Sequence, residues 1–470
     1  MLIFTIDEKI ILGGYWCFNY SNRGVIFSFA QVKFGPPGNE IDIEQISVER
    51  YTYNKMDTWS PGSSRIAMLG GKIFALEIRE DSTSGKKLLF DLKYRNENEV
   101  WRKVPGVKFG PARTAPVMVA DDEKLHIIYP EEIAGQEGCD SGGNIKHYTV
   151  SLDGTIGEID TSGIWPLDYY VCTERYSIAL HPERNQILLT IYAMQNDIPS
   201  GLVLANFNLI TGEWNRGSEI PTDRDNVNAE EGTGYTSIAT LGNDIYVSST
   251  VWRSFDIGKY IYRQVDIHKS QDNGKSWEKA TLCKVDEKYL DGTYTGQGCL
   301  NLDIMESKGE INVLFSADPS LGAMSSLGNL PQKGFYFASS RDNFRPHLVQ
   351  SGKNYPYDIG GSLGEFDEDI FVAAPEDGQL TFWKTIDFGK NWTKLNYKES
   401  KDSERYIRAY NPMTFKKKYS SEFKKGIFGL MTDITSGNSE MIYNRLDFFE
   451  LELSGLNKSN AGNSGGNVAG

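Results

Sequence analysis

Cysteine is scarce in this 470-residue chain, and the few present do not cluster. The five, Cys17, Cys139, Cys172, Cys283 and Cys299, are odd in number and show no CxxC spacing, which excludes the usual zinc-ligand patterns and a dense disulfide frame. Cys283 and Cys299 fall in neighbouring expected strands and are placed to pair, although two reduced, buried thiols are the preferred expectation. Positive charge is also short: 49 Lys and Arg face 63 Asp and Glu, a formal net charge of −14. Such a surface repels phosphate backbones and acidic membranes, so neither a nucleic-acid partner nor polybasic membrane binding is expected. Any anion site would have to be a local basic pocket.

Long apolar runs are missing. The opening "MLIFTIDEKIILGGYW" has no basic n-region and meets Asp7, Glu8 and Lys9 at once, so neither a signal peptide nor a membrane span is expected. The expectation as written is a cytoplasmic protein, or one exported by a route without a leader. Sustained helical periodicity is absent, as are Walker, GxSxG and HExxH sequences, and no cofactor is expected.

What is present points to strands. Aromatic residues make up 12%, with 25 Tyr and 23 Phe, beside 47 Gly. One pattern recurs: an acidic or glycine turn, then Ile or Leu, then an apolar run, as in "DEKIILGGYW", "GGKIFALEIR", "GNDIYVSSTV" and "DEDIFVAAPE". The first Ile or Leu falls at 10, 73, 125, 187, 245, 311, 370 and 427, with spacings between 52 (73 to 125) and 66 (245 to 311). A second strand follows each copy, and most copies have a strand before them and a short outer strand after. A four-stranded meander cannot bury both faces alone, and arranging such units radially covers them. The expectation is an all-β, single-domain β-propeller over 1–453 with eight blades. Seven blades is the alternative if N-terminal strands complete the last one. The tail 454–470 is rich in Gly, Ser and Asn and reads as flexible.

The turn "SQDNGKSW", 270–277, joins the two outer strands of the fifth unit. In it Asp272 can accept backbone N–H groups, Gly274 supplies a positive φ, and Trp277 offers a ring to bury between blades. "TIDFGKNW" in the seventh unit has Asp387, Gly389 and Trp392 in register, and "YRNENEVW" keeps Asn96, Asn98 and Trp101. The fourth unit ends "ITGEW" with Trp214, and the sixth has Phe344. This S-x-D-x-G-x-x-W pattern resembles the Asp box, or BNR repeat, of the sialidase-like propeller superfamily. The resemblance implies a structural staple on the outer rim, away from any substrate site.

Chemistry is therefore expected at the channel mouth. Aligned on their apolar pairs, the innermost strands put Arg113, Arg175 and Tyr235 three places before the pair and Arg65 one place before it, so all share a face. Arg408 and Tyr410 stand at the entry of the last unit. Arginine's planar fork suits carboxylate or sulfate, and Tyr176, Tyr235 and Tyr410 would offer stacking faces. The bland alternative makes these arginines inter-blade struts paired with Glu174 and Glu231. The superfamily resemblance implies more: "SSRIAMLGGKIFALEIRED" is similar to the sialidase region carrying the first carboxylate-binding arginine. There Arg65-Ile66 matches and Ala67 replaces a proline, while Glu77-Ile78-Arg79 resembles the following E-x-R. By the same resemblance Tyr235 would be a nucleophile, with Glu230 or Glu231 activating it and Asp81 as acid/base. A uronate-directed lyase is the other catalytic reading, using Arg175 with Tyr176, or His126 and His147.

The loop 131–144 holds Glu131, Glu132, Asp140 and Asn144, a Ca²⁺-capable set, but a rim loop without metal is expected. The function expected is recognition of an anionic carbohydrate, with or without cleavage. The alternative is a non-catalytic lectin or an interaction scaffold that takes a protein partner through its rim loops.

Overall fold

A computed structural model describes residues 39–47, 51–52, 64–80, 88–95, 100–112, 115–131, 144–164, 169–171, 176–195, 198–222, 231–256, 259–351, 360–376, 379–399, 413–414, 426–437 and 440–453. The chain divides into two units, Met1–Gly38 and Asn39–Gly470. Unit one and the tail 454–470 lie outside the described residues, as do Asp81, Arg113, Arg175, Arg408 and Tyr410.

The second unit is an all-β propeller. Six blades are antiparallel meanders, each cut from one continuous stretch. Blade 1 runs through Ile66–Leu69, Lys72–Glu80, Leu88–Arg95 and Trp101–Lys103. Blade 2 comprises Val117–Ala120, Lys124–Pro130, Ile145–Ser151 and Ile156–Ile159. Blade 3 is built on Ser177–His181, Gln186–Gln195, Ile198–Asn208 and Glu213–Ile220. Blade 4 has the longest strands: Glu231–Leu241, Asp244–Asp256, Lys259–Ser270 and Glu278–Val285. Blade 5 takes Cys299–Ser307, Glu310–Ala317, Gly334–Ser339 and His347–Ser351. Blade 6 takes Ser362–Phe366, Asp369–Glu376, Gln379–Thr385 and Thr393–Lys394.

The count of eight blades, and of seven, is thereby corrected to six. A further, composite sheet joins the two ends of the second unit. In it Met413–Thr414, Gly426–Gly437 and Glu440–Glu452 are followed by Asn39–Ser47, which pairs antiparallel with Glu440–Glu452 and parallel with Tyr397–Glu399. The repeat at 10 lies outside the described residues, and the repeat at 427 supplies this mixed sheet instead of a meander of its own.

Packing between blades explains the recurring tryptophan. Trp101 of blade 1 meets Phe448 of the composite sheet edge-on at 5.5 Å, and Trp392 of blade 6 meets Phe337 of blade 5 at 5.3 Å. Trp214 of blade 3 packs on His147 of blade 2 at 5.5 Å, and Trp277 of blade 4 donates its Nε1–H to Ser218 Oγ of blade 3 at 3.1 Å. Each ring covers the preceding blade, so one residue type at one turn position joins neighbouring sheets.

The 270–277 and 385–392 turns share one hydrogen-bond network. Asp272 Oδ1 accepts from Ser276 N at 2.8 Å and Lys275 N at 3.1 Å, and Gly274 N donates to Ser270 Oγ at 2.8 Å. Asp387 Oδ1 accepts from Asn391 N at 3.0 Å, and Gly389 N donates to Thr385 Oγ1 at 3.0 Å. Ser276's hydroxyl and amide together pull the Asp272 carboxyl down to about 2. Gly274 and Gly389 both have positive φ, at +82° and +85°. A Cβ on the former would sit 2.6 Å from Leu204 Cδ2, and on the latter 2.4 Å from Phe337 Cδ1, so these turns approach the neighbouring blade too closely for a side chain.

The preference for two reduced thiols is also corrected. Cys283 and Cys299 form a disulfide, with Cα atoms 5.9 Å apart, from the outer strand of blade 4 to the inner strand of blade 5. Among the described residues, no helix is long and apolar enough to cross a membrane.

Candidate functional site

In an antiparallel meander the turns after the first and third strands lie at one end, and the inner strand begins at the other. The 270–277 and 385–392 turns therefore occupy the face opposite the inner-strand starts. Arg65, Tyr176, Glu231 and Tyr235 all stand at or near such starts, on the mouth side. His126 is the third residue of the second strand of blade 2 and lies toward the opposite face.

Blade 4 concentrates polar chemistry at the mouth. Glu231, 2% exposed, opens its inner strand directly across from Arg253 on the second. Arg253 Nε donates to Glu231 Oε1 at 2.6 Å, and Arg263 Nη2 from the third strand donates to Oε2 at 3.2 Å. Arg263 is wholly buried, whereas the Arg253 side chain keeps 18% exposure. From Arg263 a polar line continues inward: Nη1 reaches Gln264 Oε1 at 3.3 Å, and Gln264 Nε2 donates to both Asp266 oxygens at 2.9 and 2.8 Å. One carboxylate thus lies between two guanidiniums, with the buried Asp266 carboxylate one amide further along.

Two β-bulges aim this chemistry. The first–second strand register jumps between Gly234 and Ser237, leaving Tyr235 and Thr236 across from one partner residue. Tyr235 takes a φ of +49°, a left-handed conformation costly for a bulky side chain and held by its surroundings. Its carbonyl accepts from Asn301 Nδ2 of blade 5 at 2.7 Å. Its hydroxyl shares a 2.9 Å hydrogen bond with the Tyr262 hydroxyl, the rings meeting edge-on at 5.2 Å. The second bulge, between Val251 and Trp252, inserts Arg263 into the third strand. Gly232 makes room beside it, because a Cβ there would lie 2.3 Å from the Trp252 ring.

Other expected residues are placed as follows. Arg65 is 1% exposed before the inner strand of blade 1. Tyr176 is buried, and its hydroxyl donates to the Ala115 carbonyl of blade 2, bridging two blades. Glu77 pairs with Lys93 at 2.8 Å. The expected set therefore meets only in part: Glu231 and Tyr235 share blade 4, while Arg65 and Tyr176 stand on blades 1 and 3. Arg253, Tyr262 and Arg263 were missed. "YIYRQVDI" reads as an ordinary strand, and its one signal is that Arg263 and Gln264 place two polar residues in succession, breaking the alternation as a bulge does.

His126 and His147 instead form a buried relay near the opposite face. Trp214 Nε1 donates to His147 Nδ1 at 3.1 Å, His147 Nε2 and His126 Nδ1 are 2.9 Å apart, and His126 Nε2 lies 3.0 Å from Asp121 Oδ2. Because the indole can only donate, each imidazole is set as its Nε2–H tautomer. Burial, then the neighbouring His126, holds His147 well below the usual imidazole range. Asp121 is lowered despite its burial, by hydrogen bonds from His126 and the Glu123 amide. At the loop 131–144, Glu131 N donates to the Asn144 carbonyl at 2.8 Å, closing its base. Among the described residues, no cluster of three or more His, Cys, Asp or Glu is arranged to hold a metal.

No family model and no curated protein matches the chain. Among solved structures, the polysaccharide lyase Uly1 superposes with a TM-score of 0.52 over 87% of this chain and 98% of its own, at 9% identity. The sialidase of Trypanosoma rangeli in complex with the inhibitor DANA gives a TM-score of 0.44 at 10% identity, over 89% of this chain and 59% of that one. An α-L-arabinofuranosidase, Arb93A from Fusarium graminearum, gives 0.38 at 11% identity, over 86% and 98%. At such identities the likeness concerns the fold alone, an all-β propeller.

Proposed function

We propose that this protein binds an anionic polysaccharide at the blade 4 mouth and cleaves it beside a uronate by β-elimination. The observation that carries this reading is the Tyr235–Tyr262 hydroxyl pair, 2.9 Å apart and set by a strained bulge beside the Glu231–Arg253–Arg263 cluster. Two phenols sharing a hydrogen bond supply a base and an acid at one place. One tyrosine, as phenolate, takes the proton alpha to the uronate carboxylate. The C–H electron pair becomes the new double bond, the bond to the glycosidic oxygen breaks, and the other tyrosine protonates that leaving oxygen. Arg253, the part-exposed arginine, would meet the sugar carboxylate and stabilise charge developing there. Arg65 is a second candidate for the same anion.

Tyrosine-nucleophile hydrolysis fits less well, because the Glu231 oxygens are taken by two arginines and the Tyr235 hydroxyl by Tyr262. That the lyase superposes over nearly its whole length agrees with the elimination reading. The Cys283–Cys299 disulfide supports action in an oxidising compartment. A binding-only role is the second reading, favoured by the burial of both hydroxyl-bearing side chains, at 4% and 3% exposure.

The test is incubation with alginate, polygalacturonate, hyaluronan and sialosides. Elimination leaves unsaturated sugar ends that absorb ultraviolet light, and Tyr235→Phe is expected to abolish their formation. Reducing ends released without that absorbance would replace elimination by hydrolysis. Binding without any release would establish the lectin-like role.

A further inference from the structure

The crossover from blade 4 to blade 5, residues 286–298, does more than connect two sheets. The outer strand Glu278–Val285 pairs with the third strand only as far as Gln264, and its other edge takes Ala323–Met324. The returning crossover fills the vacated edge: Gly296 and Gln297 pair in parallel with Ile261 and Tyr262. The Cys283–Cys299 disulfide closes the segment at its base. Gly298 lets the chain pass, since a Cβ there would lie 2.5 Å from Val285 Cγ2 and 2.9 Å from the Tyr262 carbonyl.

The segment is built internally as well. Asp286 caps its short helical turn through the Lys288 amide at 3.1 Å, Leu290 is buried, and Asp291 accepts from the Thr293 amide at 2.8 Å. Gly292 rests against the Phe255 ring, and Gly322 against Tyr289. On this anchored base Tyr294 is 38% exposed and meets Tyr289 edge-on at 4.9 Å. Tyr294 precedes by three residues the Gln297 that pairs with Tyr262, which puts it within about 10 Å, along the chain, of the level of the proposed site. A large aromatic held exposed on a cross-linked, hydrogen-bonded segment has little entropy left to lose on binding, which suits it to a flat ligand face.

We propose that Tyr294, backed by Tyr289, is a stacking subsite for a sugar of a polysaccharide strand leaving the mouth over blade 4. This rests on the reading of the mouth as a polysaccharide site and extends it: the ligand is a polymer long enough to reach the crossover, not a single terminal sugar.

The test is affinity electrophoresis through gels containing alginate, polygalacturonate or hyaluronan. Wild type is expected to be retarded by at least one, and Tyr294→Ala to lose about tenfold in apparent affinity for it. Tyr294→Trp restores the retardation if stacking is the interaction. Tyr235→Phe should remain retarded while losing turnover, separating the subsite from the chemistry. Tyr294→Ala retarded like wild type overturns the subsite even if elimination is observed, and so does a wild type that no gel retards. A retarded wild type that yields no product ends the elimination reading and leaves the subsite standing.

Discussion

Removing the charge of Glu231 should destabilise the propeller far more than removing that of an exposed carboxylate. In Glu231→Gln the side-chain shape stays, but Arg263, wholly buried, loses the carboxylate oxygen 3.2 Å from its Nη2. Breaking one partner from a buried ion pair costs about 3–5 kcal/mol, because the remaining charge stays desolvated. The control is Asp91→Asn, whose partner Lys103 is half exposed and whose pair belongs to the class worth about 0–1 kcal/mol. For a unit of about 430 residues the unfolding entropy is about 0.9 kcal/mol/K. The Glu231→Gln midpoint should then fall by about 3–6 °C, against about 1 °C or less for the control. Scanning calorimetry with parallel urea titrations reads both. Arg263→Met placed in the Glu231→Gln background should recover most of the loss, since an apolar chain of similar size removes the stranded charge. A Glu231→Gln loss no larger than that of Asp91→Asn would refute the buried cluster as described.

Acid should weaken the fold through His147. Unfolded, it takes a proton near 6.5, whereas in the fold burial and His126 keep it neutral well below that. The unfolded state therefore binds more protons below 6.5, and stability is lost as pH falls through that window. Urea midpoints at pH 7.5 and pH 5 for wild type and His147→Gln check this, and an equal pH dependence in both would count against it. Alkylation under denaturing, non-reducing conditions should leave Cys283 and Cys299 unlabelled. Their replacement by Ser should cost about 3 kcal/mol for a loop of 16 residues, and labelling of both in native-purified protein would refute the bond.

Strand order along the chain was legible in the sequence to an unusual degree. The repeat-opening Ile or Leu at 73, 125, 187, 245, 311 and 370 each falls in the second strand of a described blade, and the one at 427 falls in the composite sheet. Period-two apolar alternation after a turn is a local property, which is why it survives in a single sequence. The blade count was not local. A repeat records that a strand forms, not which sheet it joins, and Asn39–Ser47 finds its partners some four hundred residues away. The disulfide depended likewise on the outer strand of blade 4 ending its ladder at Gln264, so that the crossover could return along the same edge. Of the groups on blade 4, Tyr235 could be picked out by counting along an inner strand, and Glu231 through the superfamily resemblance or as an arginine's partner. Arg263 could not, since a bulge inverts the parity from which a strand's faces are read.

The sequence by itself determined the class of structure, the order of the strands and the turns that staple one blade to the next. Each of these follows from side-chain alternation, from positive-φ glycines and from a recurring tryptophan, all of which act within a dozen residues. Only the tertiary structure decided how the ring closes, which cysteines meet, and that one carboxylate and two arginines share a buried corner beside two tyrosines. Those groups lie on three different strands and two bulges, and desolvation is a property of the assembled interior, with no counterpart in the order of residues along the chain.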